Sequence, residues 1–187
     1  MIESPIRVVL DANVLFPALL RDTLLRAAEH GLLHVHWSNE VMQELERNLI
    51  TTGAMNDERA TNLVRSMNSA FPDASVRGYE HHLPLMRNEA KDRHVAAAAV
   101  HADAALIVTF NLRDFRDLPD GIRAIEPTAL LCRLLDDHPT SVVALLREQA
   151  AFLKRPPSTL HELLNHMNTY LGEFADAVRA ALANEQE

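Results

Sequence analysis

Asp11, Asp92 and Asp114 occupy equivalent places in the sequence pattern. Each is an acid just past an apolar, strand-like run or at the start of a helix-like one. Asp11 ends Arg7-Val8-Val9-Leu10, with Asn13 two residues on, and Asp114 follows Ala104-Ala105-Leu106-Ile107-Val108-Thr109. Asp92 opens the Ala-rich stretch that runs to His101. If the two apolar runs are neighbouring strands of a parallel sheet, their carboxyl ends lie side by side and the three carboxylates converge. Clustered carboxylates repel and resist joint ionisation unless a cation compensates. Oxygen ligands without Cys or paired His favour Mg²⁺ or Mn²⁺ over Zn²⁺. A metal held this way can orient a water, lower its pKa and stabilise a phosphorane-like transition state. An acid in such a place also caps the turn that follows it. Three of 26 acids can also fall at element ends by chance, so the residue types alone leave both readings open.

The elements that must position these acids read as α/β. Val8 to Leu10 is a short β-branched run suited to a strand buried on both faces. Pro17 to Glu29 has helical spacing and stops at Gly31, and Leu33 to Trp37 alternates as a strand does. Ser38 caps a helix to about Leu49, and Asp57 to Phe71 is another helix. Pro72 to His82 is irregular, with a short strand near Val76. Asp92 to His101 is a strong helix whose small side chains allow close packing on a sheet. Leu106 to Val108 is a second buried strand, and Ile122 to Ile125 a short edge strand. This βαβα alternation predicts a largely parallel sheet covered by helices. From Pro127 the strand signals stop. Ala129 to Leu135, Ser141 to Leu153 and Leu160 to Leu182 read as helices separated by Pro139 and Pro156-Pro157. The last opens with a capping box, Thr159-Leu160-His161-Glu162, and holds one apolar face for about six turns.

Composition bounds the function classes. At 187 residues the chain fits one domain with an appendage. Acids outnumber Lys and Arg by 26 to 18, a formal net charge of -8, which argues against coating nucleic acid by bulk charge. A single cysteine, Cys132, excludes an intramolecular disulfide framework and suits a reducing compartment, with a buried thiol expected. Met1 to Pro5 lacks the features of a signal peptide, and no apolar run reaches the ~20 residues a membrane span needs. The expectation is a soluble, cytoplasmic protein with no membrane association.

Four segments taken in order carry a resemblance. These are Val9-Leu10-Asp11-Ala12-Asn13-Val14-Leu15, Ser38 through Glu44-Leu45, Lys91-Asp92-Arg93-His94, and Val108-Thr109-Phe110-Asn111-Leu112-Arg113-Asp114-Phe115. Together they resemble a PIN domain, over about residues 6 to 127, most nearly the VapC-type toxins of bacterial toxin–antitoxin pairs. The resemblance implies a PIN-like α/β/α sandwich over 1–127 with a mainly parallel sheet, and a helical C-terminal extension over 128–187. It implies a Mg²⁺- or Mn²⁺-dependent endoribonuclease. Asp11, Glu44, Asp92 and Asp114 would be the catalytic, metal-binding acids, with Asn13 supporting Asp11 and with Thr109 and Asn111 lining the site. Only the resemblance selects Glu44 over Glu40 or Glu46. The fourth acid is the loosest assignment, because relatives vary between an acid at the Asn111 position and one at Asp114. The implied partners are an RNA substrate, a cognate antitoxin that occupies the acidic site, and a second copy in a homodimer.

Other readings weigh less. Asp11-Ala12-Asn13 also resembles the strand-end Asp of haloacid-dehalogenase phosphohydrolases, but Asn13 stands where that chemistry needs a second Asp as general acid. A non-catalytic RNA- or protein-binding scaffold is the rival in another class, and it usually goes with lost acids. Arg113, Lys91 and Arg93 are candidates for phosphate contacts. His34 and His36 share a strand face and His81-His82 lie in a loop. Neither pair has a third ligand at metal-site spacing, so hydrogen-bonded or exposed histidines are expected. Trp37 is expected to pack at its strand end. The C-terminal helices need cover for their apolar faces, by folding back, by homodimer pairing or by an antitoxin.

Overall fold

A computed structural model of the chain describes residues 5–153 and 159–184. The expected breaker Pro156-Pro157 and residues 1–4 lie outside the described residues. The chain divides into two compact units, Met1–Pro17 with His34–Ile125, and Ala18–Leu33 with Glu126–Glu187.

The first unit carries a five-stranded parallel sheet of an α/β, PIN-like fold. Its strands are β1 (Ile6–Leu10), β2 (Leu33–Ser38), β3 (Ser75–Val76), β4 (Leu106–Val108) and β5 (Arg123–Ile125), in the order β3-β2-β1-β4-β5. Val8, Val9 and Leu10 are fully buried, as a central strand requires. They register with Leu106, Ile107 and Val108 of β4, which in turn register with Arg123, Ala124 and Ile125. The chain moves outward from β1 to β2 and β3, then returns across β1 to β4. The direction of winding therefore reverses between β1 and β4, and crevices at such reversals are where open α/β sheets bind ligands.

Helix starts in this unit follow their caps. Asp11 caps α1 (Ala12–Leu15), Ser38 caps α3 (Asn39–Thr51) through the Val41 N–H at 3.1 Å, and Asn56 caps α4 (Asp57–Ala70). The helix expected over Pro17 to Glu29 is present as α2 (Ala18–Glu29), and the short α1 before it, which the sequence reading did not anticipate, ends ahead of Pro17, whose missing N–H prevents a continuous helix. α5 (Arg93–His101) has no side-chain cap and continues from a 3₁₀ turn, Ala90–Asp92. Val95 to Ala99 are fully buried, and α5 packs on β1 and β4. A second 3₁₀ turn, Glu80–Leu85, packs against α5 where the sequence reads only as irregular. Trp37 is fully buried and donates Nε1–H to Asn68 Oδ1 at 2.9 Å.

The second unit is helical: α2, α6 (Pro127–Asp137), α7 (Pro139–Phe152) and α8 (Leu160–Asn184). α6 packs on α8 and α7, α7 on α8, and α2 on α7. Much of the apolar surface of the C-terminal helices is therefore covered by one another and by α2, a helix contributed from the N-terminal part of the chain. Gln149 is buried here, donating Nε2–H to the Leu19 carbonyl at 3.0 Å and lying 2.9 Å from the Thr23 hydroxyl. The expected capping box is present: Thr159 Oγ1 accepts the Glu162 N–H at 3.2 Å and Glu162 Oε2 accepts the Thr159 N–H at 2.8 Å. The expected single face of α8 is broken by a kink at Leu171 (φ −131°, ψ 36°), next to Gly172. Leu163, Leu164, Met167, Leu171, Phe174 and Val178 nevertheless remain buried. Cys132 is half-buried, not buried as expected, and burial pushes its thiol up from the ordinary value. No helix among the described residues is long and apolar enough to cross a membrane.

His36, on β2, is 7% exposed, and its Nε2 has no hydrogen-bond partner among the described residues. Burial, then the neighbouring His34 and Arg7, push its pKa from 6.5 to about 4. The unfolded chain therefore takes up a proton that the folded chain refuses. The resulting stability is fully present above about pH 6.5 and is lost as pH falls towards 4. His36→Phe should remove this slope, so its thermal midpoint gains on the wild type as pH is lowered from about 7 to 5. A constant difference across that range would contradict the assignment.

Candidate functional site

The site is built at the reversal between β1 and β4. Asp11 follows Leu10 directly and its N–H donates to the Val108 carbonyl at 3.1 Å, so the ladder is still closed where the carboxylate begins. Both readings of Asp11 hold at once. Oδ1 accepts the Ala12 N–H at 2.7 Å as a helix cap, while Oδ2 accepts from the Asn13 amide and the Thr109 hydroxyl, each at 2.7 Å. Asn13 Nδ2 also reaches Thr109 Oγ1 at 2.9 Å, and Asn13 Oδ1 accepts the Phe110 N–H at 3.1 Å. Thr109 Oγ1 accepts the Asn111 N–H at 3.0 Å. One amide and one hydroxyl thereby tie the ends of β1 and β4 together around a single carboxylate.

The other acids arrive from three separate elements. Burial raises the Asp11 pKa, Thr109 and Ala12 oppose the rise through their hydrogen bonds, and the Glu44 charge on α3 adds to it. The alternatives to Glu44 are engaged elsewhere, Glu40 with the Tyr79 hydroxyl and Glu46 with the Thr61 hydroxyl. Asp92, at the end of the 3₁₀ turn before α5, is buried, and its Oδ2 has no hydrogen-bond partner among the described residues. Its pKa is pushed up to about 6 by burial, against the pull of Lys91, with the charges of Asp11 and Asp114 adding to the rise. Asp114 goes the other way, held below its ordinary value chiefly by Lys91. The Lys91 ammonium lies 2.7 Å from Asp114 Oδ2 and 3.5 Å from Asp92 Oδ2. The Asn111 amide donates to the same Asp114 oxygen.

Lys91 thus sits among the acids as an internal counter-ion, while Arg93 turns its Nε–H to the Asn88 carbonyl at 3.2 Å and Arg113 is exposed. His94 was not singled out in the sequence. Its Nδ1 lies 3.1 Å from Ser38 Oγ, and burial lowers its pKa against the charges of Glu40, Glu44 and Asp11. Its place two residues after Asp92 gave no sign of this, because the contact depends on β2 lying beside β1. Asp11, Glu44, Asp92 and Asp114 thus offer only oxygen atoms, and their charges act on one another, Asp11 with Glu44 and Asp92 with Asp11 and Asp114.

His81 is exposed and hydrogen-bonded, as expected, but the His81-His82 pair has a third histidine nearby that its sequence spacing did not show. Among the described residues, His81, His82 and His101 present nitrogen atoms all within 4.8 Å of one another. Spacing hid this, because His101 is brought back by the packing of α5 on the Glu80–Leu85 turn.

Residues 7–113 match the PIN domain family, and residues 127–180 match the VapC50 C-terminal domain family. A Mycobacterium tuberculosis protein carrying the name "Putative ribonuclease VapC50" is 36% identical over 105 residues, which take in 54% of this chain and 62% of that protein. The match thus spans less than two thirds of that relative's length. No solved structure matches the chain.

Ionising Asp92 inside this cluster opposes folding when no metal is bound. A raised folded-state pKa gives stability that is present below the ordinary value of 3.8 and lost as pH rises through about 6. In chelator near neutral pH, Asp92→Asn should therefore stabilise the protein by about 1–2 kcal/mol after solvent screening, with the gain shrinking as pH falls and vanishing below the ordinary value of 3.8. Denaturant unfolding across this pH range checks this. A destabilised variant at neutral pH would show that Asp92 is held by contacts that outweigh its repulsion.

Proposed function

Because the chain belongs to the PIN domain family, we propose that it is a divalent-metal-dependent endoribonuclease, the toxin of a type II toxin–antitoxin pair. The observation that carries this reading is the meeting of Asp11, Glu44, Asp92 and Asp114 charges at the β1–β4 reversal, with Asp11 fixed by Thr109 and Asn13. Asp11, Glu44, Asp92 and Asp114 would hold Mg²⁺ or Mn²⁺, and the buried Asp92 Oδ2, without a hydrogen-bond partner among the described residues and neutralised only by Lys91 at 3.5 Å, fits that role. When bound, such an ion supplies a water of lowered pKa and neutralises charge on the phosphate. The protein's own part is positioning. Thr109 and Asn13 orient the Asp11 carboxylate, the Thr109 hydrogen bond opposing the rise that burial imposes, and the Asn111 amide helps hold Asp114 below its ordinary value. With a metal held by Asp92 and Asp114, Lys91 would no longer be needed as their counter-ion and would be available to contact the RNA backbone.

The partner readings follow from the same charges. A cationic side chain already sits between Asp92 and Asp114, which supports an antitoxin that presents a basic residue to the site. Exposed Leu85, Phe110 and Leu112 offer apolar surface for that antitoxin or for a second copy in a homodimer. The proposed division of labour is a catalytic part over 1–127 and a helical extension over 128–187, in a protein of the cytoplasm.

The test is cleavage of a mixed RNA pool by purified protein free of antitoxin. Cutting should need Mg²⁺ or Mn²⁺, stop in chelator, and fall by more than about 100-fold in Asp11→Ala and Asp92→Ala. Folded protein that binds RNA but cuts under no metal would favour the non-catalytic scaffold.

A further inference from the structure

The acidic site leaves a second group of potential ligands unexplained. His81 and His82 lie in the 3₁₀ turn Glu80–Leu85, and His101 is the last residue of α5. The ring centroids of His81 and His82 are 3.9 Å apart, and those of His101 lie 5.7 and 5.8 Å from them. The exposed rings of His81 and His101 need only small rotations to bring nitrogens now within 4.8 Å to the ~3.3 Å separation of a tetrahedral zinc site.

We propose that His81, His82 and His101 form a binding site for a borderline transition-metal dication of the zinc class, clasping the Glu80–Leu85 turn to the C-terminal end of α5. The strongest support is the tautomer of His81. Its Nδ1 lies 2.7 Å from the Gly78 carbonyl. A carbonyl can only accept, so Nδ1 carries the proton and Nε2 presents its lone pair. A backbone carbonyl fixing the far nitrogen is the usual arrangement behind a metal-binding histidine. His82 is also held below its ordinary pKa by burial and by its two neighbours, which favours the neutral ligand form. His82 also borders an open cavity of about 360 Å³ whose lining includes Arg87, Asp117 and Asp120, so its ring is reachable from solvent.

The triad is separate from the acidic site. α5 has Asp92 at its start and His101 at its end, so about 12 Å of helix separates them. His101 also precedes β4, whereas Asp11 and Asp114 follow their strands, so α5 carries His101 away from the acidic end of the helix. The ligand chemistry differs as well: three imidazoles select zinc-class ions, and an all-oxygen set selects Mg²⁺ or Mn²⁺. A metal at the triad would stabilise the segment leading to Lys91 and Asp92 without entering the reaction.

The test uses the full chain in excess Mg²⁺, dialysed against Zn²⁺ and assayed for bound metal. Co²⁺ serves as a second probe, read by its visible ligand-field absorption. Wild type and Asp11→Asn should each retain one equivalent of zinc. His101→Gln and His81→Gln should bind at least about tenfold more weakly and lose the tetrahedral cobalt spectrum. Circular dichroism checks that each variant is folded, and the exposed His81 provides the safer substitution if His101→Gln is not. No zinc retained by the wild type would overturn the proposal. Retention unchanged in both histidine variants, or lost only in Asp11→Asn, would overturn it equally.

Discussion

The carboxylate of Asp11 has to remain charged in a place where burial opposes charge, and the rest of the site depends on how that conflict is resolved. The hydroxyl of Thr109, the amide of Asn13 and the N–H of Ala12 all donate to it. These donors come from α1, which follows β1, and from the residue just past β4, so the network that holds the charge also ties the carboxyl ends of β1 and β4 together. Three charge-assisted hydrogen bonds offset much of the desolvation cost of one acid. They cannot do so for four. Asp92, whose buried Oδ2 has no hydrogen-bond partner among the described residues, carries the residual cost. Lys91 relieves part of it from within the chain, and a divalent ion would relieve more.

This arrangement ties fold to chemistry through topology. The winding reversal puts Asp11 and Thr109 on adjacent strand ends. The return crossover delivers Asp92 on α5, whose buried alanines let the helix lie close on β1 and β4. α3 brings Glu44 from the strand on the other side. The same crossover that opens with Asp92 closes with His101, so one helix connects the acidic site to the histidine triad.

Much of this was legible in the sequence, for physical reasons that differ by residue. Val8 to Leu10 and Leu106 to Val108 are β-branched and apolar without alternation, a signature of strands buried on both faces. Asp11 could be placed because an acid directly after such a strand has only the sheet edge to occupy, whereas Asp114, in a turn beyond β4, was the loosest assignment. Glu44 could not be separated from Glu40 or Glu46 by periodicity, since the difference lies in what each meets: Tyr79 for Glu40, Thr61 for Glu46. His101 was invisible as a partner of His81 and His82 because their meeting is made by tertiary packing. The same holds for α2, which reads as an ordinary crossover helix yet joins the C-terminal helices through Thr23 and Gln149. The kink at Leu171 interrupts the backbone but not the apolar spacing, so the pattern gave no sign of it.

The central claim is that these acids together bind a divalent ion, and the direct measurement is calorimetric titration of Mn²⁺ into the wild-type protein at about pH 6 in buffers of differing ionisation enthalpy. Asp92 is half protonated near that pH, because burial raises it to about 6. Binding should therefore release about half a proton or more, tighten as pH rises, and lose that release in Asp92→Asn. Mn²⁺ binding with no proton release and no dependence on Asp92 would place the ion elsewhere and contradict the account.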